Sequence, residues 1–89
     1  MRLWRSMFLT DVDEELRKAE AEHGAIHSHH EGYAVLLEEV EEYWDEVKKK
    51  TALRDEAALY AELVQVATVA WRIVRDLGLD QYKESPRGA

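Results

Sequence analysis

The sequence predicts an all-α fold, an antiparallel bundle of three main helices that homo-oligomerisation completes into a four-helix core. Three observations predict it. One proline and four glycines in 89 residues leave little material for a turn-rich β fold. Apolar residues recur at spacings of three and four along most of the chain. The last of these apolar segments is wider than a three-helix monomer can cover.

The first helix is expected from Asp11 to Glu22. Thr10 or Asp11 is its candidate cap, and Asp11 with Glu14 has the spacing of a capping box. Val12, Leu16, Ala19 and His23 form a thin apolar stripe, and Gly24 is a natural stop. Residues 1–9 form an apolar N-terminal arm, in which Leu3, Trp4, Met7 and Phe8 have the spacing for an extra turn or an extension of this helix. The second helix starts at Ser28, where Ser28-His29-His30-Glu31 is a capping-box pattern, and runs to about Lys49. Tyr33, Leu36, Leu37, Val40, Tyr43, Trp44 and Val47 make its apolar stripe, within an arc of about 120° at 100° per residue. The third helix begins at a cap, Asp55, and ends at Leu77 before Gly78. Leu59, Leu63, Val66, Ala67, Ala70, Ile73, Val74 and Leu77 form its broad apolar face, and Tyr60, Val64, Val69 and Trp71 widen it. This helix is therefore expected at the interface of a dimer or tetramer, with Trp44 and Trp71 in the core or that interface. Residues 1–89 read as a single helical domain, with 79–89 a frayed tail.

Lys and Arg number 12 against 19 Asp and Glu, a net charge of −7. That sign disfavours a nucleic acid duplex as a direct partner. Cysteine is absent, which removes disulfides, thiolate metal sites and cysteine catalysis. No unbroken apolar run approaches the roughly 20 residues that span a bilayer. Arg5 and the acids from Asp11 onward make a poor signal peptide. The expectation is a cytoplasmic protein without a membrane partner.

Acids are concentrated on the second helix. Glu38, Glu39 and Glu42 fall within an arc of about 100°, opposite the aromatic stripe, which suits either a solvated face or a cation. Glu62 of the third helix falls among Val66, Val69 and Ile73, inside the apolar face. A carboxylate buried there needs an arginine such as Arg54 or Arg72, a proton, or a metal. If it faces the acids of helix 2, carboxylates from two antiparallel helices surround one divalent cation, and oxygen ligands suit Mg2+ or Mn2+.

Glu38-Glu39-Val40-Glu41-Glu42 followed by Glu62-Leu63-Val64-Gln65 resembles the MazG-like all-α nucleoside triphosphate pyrophosphohydrolases, whose signature is Glu-Glu-x-x-Glu on one helix and Glu-x-x-Asp on the next. His23-Gly24, the stretch from Ser28 to Leu37 and Glu62 to Ala67 carry the likeness to small MazG-like proteins, over roughly residues 23–78. The resemblance implies a helical bundle that dimerises or tetramerises, and Mg2+-dependent hydrolysis of a nucleoside triphosphate to monophosphate and pyrophosphate. It implies that Glu38, Glu42 and Glu62 are metal ligands, and that Glu39 is a ligand or positions the attacking water. Gln65 stands where the signature has Asp. Its amide oxygen can ligate a cation but adds no charge, so reduced activity, or a non-catalytic helical oligomer acting as an interaction or nucleotide-sensing module, is the alternative. Lys49 and Arg54 are candidate phosphate contacts or helix-terminal charge, and Trp4 or Tyr33 a candidate base-stacking surface. His23, His27, His29 and His30 form either a polar loop or a transition-metal site.

Overall fold

A computed structural model describes residues 3–84, and side chains from Met7 onward. Among them are three helices, α1 (Leu3–Glu22), α2 (His29–Val47) and α3 (Glu56–Leu77). A short 3-10 turn precedes α3 at Thr51–Leu53, and another follows it at Leu79–Tyr82. There is no strand among the described residues.

The caps of α2 and α3 form where local chemistry puts them. The Ser28 side chain accepts from the Glu31 N–H at 3.0 Å. The Glu31 carboxylate accepts from the His27 N–H at 2.7 Å, one residue before the position a capping box would use. Asp55 accepts from the N–H of Ala57 and Ala58, at 2.9 and 3.4 Å. Gly78 closes α3 in the left-handed region at φ 65°, where a Cβ would strain the backbone.

The start of α1 differs from the expected one. The helix takes in residues 3–9, so Thr10 and Asp11 are interior and cap nothing. The cause is contact with α3: Phe8 meets the Tyr60 ring edge-on at 6.0 Å, and the Tyr60 hydroxyl donates to Asp11. The side chains of Leu3 and Trp4 lie outside the described residues. Of the expected tail, 79–82 are a 3-10 turn rather than frayed, and 85–89 lie outside the described residues.

Helix α3 is the centre. It packs against both α1 and α2, while α1 and α2 make no close approach to each other. Gly32 lies against Ile73 at one end and Glu42 near Glu62 at the other, so α2 runs antiparallel to α3. Phe8 with Tyr60, Glu15 with Gln65 and Glu20 with Arg75 ascend together, so α1 runs parallel to it. The loop between α1 and α2 is fastened to α3: Arg72 donates to the Gly24 carbonyl at 3.2 Å, and the Ile26 N–H donates to Asp76 at 2.9 Å.

The buried side of α3 is not the broad apolar face expected for it. Val64, Thr68, Val69 and Arg72 are buried, whereas Leu63, Ala70, Trp71 and Val74 are exposed. Polar groups survive in the buried flank because they have partners: Thr68 donates to the Val64 carbonyl and Arg72 to Gly24. The stripe of α2 divides in the same way. Leu36, Tyr43 and Val47 are partly covered, and Tyr33, Leu37, Val40 and Trp44 are exposed. The chain's surface is 6934 Å², against about 5,400 Å² for a compact monomer of this mass. Its radius of gyration is 15.1 Å, where about 12 Å is usual.

By length and composition α3 also suffices to cross a membrane, although Glu62 and Arg72 interrupt it. The expectation that no segment qualifies rested on an unbroken apolar run, and a helix tolerates such interruptions.

At Gly32 α2 packs closely on α3. A Cβ there would lie 3.0 Å from Ile73 Cγ1 and 3.5 Å from Ile26 Cγ2. Gly32→Val should therefore push the helices apart and destabilise the protein by about 1–3 kcal/mol in a denaturant titration. An unchanged midpoint would mean that the helices do not touch there.

Candidate metal centre

Helix periodicity places Glu39 and Glu42 on adjacent turns of α2, toward α3, and Glu62 on the facing side of α3. One carboxylate oxygen from each of the three lies within 4.8 Å of the others. This is the one group of three or more potential metal ligands among the described residues, so the histidines at 23, 27, 29 and 30 do not gather into one. All four are exposed.

Glu62 is held in this cluster without compensation. Its Oε1 is buried and has no hydrogen-bond partner. Neither arginine considered for it is engaged there: Arg54 donates to the Val47 carbonyl at 3.0 Å, and Arg72 to Gly24. Burial, followed by the charge of Glu42, raises the Glu62 pKa above the ordinary carboxylate range. The same causes act more strongly on Glu39. Burial first, then the charges of Glu42, Glu62 and Glu38, push its pKa from 4.5 up to about 7. The three carboxylates repel one another, and Glu39 and Glu62 also lose hydration against the α2–α3 contact while Glu42 stays exposed. A divalent cation would relieve both effects at once.

The other residues singled out in the sequence are distributed around this cluster. Glu38 is exposed and outside the three, one residue from Glu39 on the wall of a neighbouring cleft. Gln65 lies one turn beyond Glu62 with its amide directed elsewhere: Nε2 donates to Glu15 Oε2 of α1 at 2.9 Å. Lys49 pairs with Glu46 at 3.0 Å, and Glu46 is close enough to add to the field on Glu62. Glu46 and Glu39 both sit half-buried on the packed side of α2, so the acidic arc is not simply a solvated face opposite the aromatic stripe.

The cleft has a volume of about 600 Å³. The gap between α1 and α2 forms it. Glu15, Lys18 and Glu22 line it from α1, Glu31, Val35, Glu38 and Glu39 from α2, and Gln65, Thr68, Val69 and Arg72 floor it from α3. Glu39 thus belongs to both the acid cluster and the cleft. Glu15 is a site residue that the sequence did not single out. Its pKa is lowered, chiefly by the Gln65 hydrogen bond. The available signal was Gln65 itself, a polar residue beside Glu62 whose amide needed a partner.

Comparison of the chain with family models, with curated proteins and with solved structures returned no match.

A carboxyl that binds its proton more tightly folded than unfolded stabilises the fold below its unfolded pKa. That contribution is lost as pH rises through the folded pKa. For Glu39 the window runs from 4.5 to about 7. The metal-free protein should therefore lose melting temperature across that window, and Glu39→Gln should flatten the loss. Mn2+ should raise the melting temperature strongly at pH 8 and little at pH 5, because protons compete for the same oxygens. A Mn2+ response independent of pH would place the ion elsewhere.

Proposed function

We propose that this chain is a divalent-cation-dependent nucleotide pyrophosphohydrolase of the MazG-like kind, converting a nucleoside triphosphate to a monophosphate and pyrophosphate. The observation that carries the reading is the convergence of Glu39, Glu42 and Glu62 around a buried, unpartnered Glu62 oxygen, beside a cleft large enough for a nucleoside. These are residues of the two acidic motifs that the sequence resembles, brought together by packing.

The donor set is all oxygen, which fits Mg2+ or Mn2+. Such an ion supplies charge neutralisation of the phosphates and favours attack by water. Glu42 and Glu62 are placed to hold it, with Glu38 at the rim. Glu39, with a pKa near 7, is suited to accept the proton of the attacking water. The water oxygen bonds to one of the two phosphorus atoms flanking the α–β bridging oxygen, the P–O bond from that atom to the bridging oxygen breaks, Glu39 takes the water's proton, and monophosphate and pyrophosphate separate. Lys49 and Arg54 lie at the end of the hairpin where the phosphate tail would emerge, each already holding a partner of its own.

The same reading has two copies pairing through α2 and α3 into a four-helix core, in the cytoplasm. The cleft takes one side of the α2–α3 pair. The exposed Tyr33, Leu37, Val40 and Trp44 of α2 and Leu63, Trp71 and Val74 of α3 fall on the flanks turned away from it. The roughly 1,500 Å² of surface beyond that of a compact monomer is of the size an obligate interface covers on each partner.

One observation favours a second reading, a non-catalytic oligomer that binds nucleotide. Gln65 brings no charge and is bound to Glu15, so its turn of α3 adds no carboxylate to the cluster.

Pyrophosphate release from a panel of nucleoside triphosphates with Mg2+ or Mn2+ separates the readings. The enzyme should release it, and Glu42→Gln or Glu62→Gln should lower the rate at least about a hundredfold. Nucleotide binding without release would favour the second reading, and neither binding nor release would reject both. Sedimentation at micromolar concentration should give a dimer or larger, which Trp44→Glu should dissociate. A wild-type monomer would reject the pairing.

A further inference from the structure

We infer that Glu15 is a specificity-determining residue, which accepts a hydrogen bond from a donor group on the nucleoside part of a nucleotide lying in the cleft between α1 and α2. The inference rests on the nucleotide reading above and says which side chain distinguishes one nucleotide from another.

Four features of the cleft lead to Glu15. First, Glu39 joins the acid cluster to the cleft, so a ligand whose phosphates lie at that cluster has the rest of its body in the cleft. Second, polar groups on the floor are engaged in holding the fold together. The Thr68 hydroxyl donates to the Val64 carbonyl and Arg72 donates to the Gly24 carbonyl. Third, Glu15 is fixed. Its Oε2 accepts from Gln65 Nε2 at 2.9 Å across the α1–α3 contact, and its Oε1 accepts from Lys18 Nζ at 3.2 Å. A side chain anchored at both oxygens has lost its rotamer freedom before a ligand arrives. Fourth, it retains capacity. A carboxylate offers about four lone-pair sites, and these two bonds use two of them.

A carboxylate only accepts hydrogen bonds. The groups it can select are therefore sugar hydroxyls, exocyclic amino groups or the ring N–H of uracil, thymine or guanine, and a ligand lacking the donor leaves the acceptor unpaired against the cleft wall. Gln65 gains a role here that it lacks as a metal ligand, because it orients the reader. Lys18 offsets the charge of Glu15 and limits its repulsion of the phosphates.

The test is calorimetric titration of the Mn2+-loaded protein with matched triphosphates carrying a non-hydrolysable α,β-imido bridge. Ribo- and 2′-deoxyribonucleotides of one base report the sugar hydroxyl, and cytosine against uracil nucleotides set the exocyclic amino group against the ring N–H. Wild type should prefer the ribonucleotide of the first pair or one member of the second. Glu15→Gln, which keeps shape and removes the charge, should reduce that preference at least about tenfold and leave the weaker member's affinity unchanged. Gln65→Met, which unfastens Glu15 without removing it, should reduce it by a smaller factor. Melting temperatures establish that both variants fold, and a failure of one to fold leaves the other as the test. Equal loss for every nucleotide would assign Glu15 a purely structural role and overturn the inference, as would an unchanged preference. Either result leaves the pyrophosphohydrolase reading standing. Absence of any nucleotide binding by the wild-type protein would instead overturn that reading and this inference with it.

Discussion

Helix α3 has to serve two neighbours that do not meet. Among the described residues the backbones of α1 and α2 both lie close to it and not to each other, so every helix–helix packing among them is a packing on α3. The parallel and antiparallel registers, the fastening of the loop after α1 and the position of the acid cluster are set by which turn of α3 each element reaches. Arg72 and Asp76 reach the loop, Gln65 reaches α1 and Glu62 reaches α2. Both the cleft and the exposed apolar flank follow from the same arrangement. A central helix with neighbours on two sides leaves a gap between those neighbours and a bare side behind.

On the proposed function, that geometry is how a chain with a net charge of −7 would make a place for phosphates. Seven of the 19 acids fall between Glu31 and Glu46. Packing α2 onto α3 brings two of them against Glu62, where desolvation and mutual repulsion raise the affinity for protons. Proton affinity and cation affinity have one cause here, an excess of negative charge removed from water. A divalent ion bound there would make a surface hostile to anions receptive to them, and the proton would be its competitor.

Much of this was legible in the sequence, and the illegible part has a physical reason. Ser28, Asp55 and Gly78 marked helix ends because capping is a local hydrogen-bonding problem within four residues. Glu62 stood out because a charge inside an apolar arc is anomalous at the level of one helix. The flank of α3 that packs was not legible. Periodicity gives the width of an apolar face, and this face is wide enough for several orientations, so partners elsewhere decided. Thr68 and Arg72 are buried and Leu63 and Val74 exposed, the reverse of a ranking by hydrophobicity. At the start of α1 the sequence offered an extension or a separate turn and could not choose between them; the extended helix brings Phe8 and Asp11 onto Tyr60, 49 residues beyond Asp11. Glu15 was hidden because its role depends on the register of α1 against α3.

The separation of α1 from α2 has one more consequence. The loop that joins them is tied down at Gly24 and Ile26, close to the C-terminal end of α1, and along the rest of the helix Val12 and Leu16 are buried while Phe8, Asp11 and Glu15 reach α3. The width of the cleft is therefore set by how α1 lies on α3, whereas the carboxylates are set by how α2 lies on α3. The wall of the cleft and the hairpin that carries the acids are separate parts. The Glu15–Gln65 bond is the catch between them.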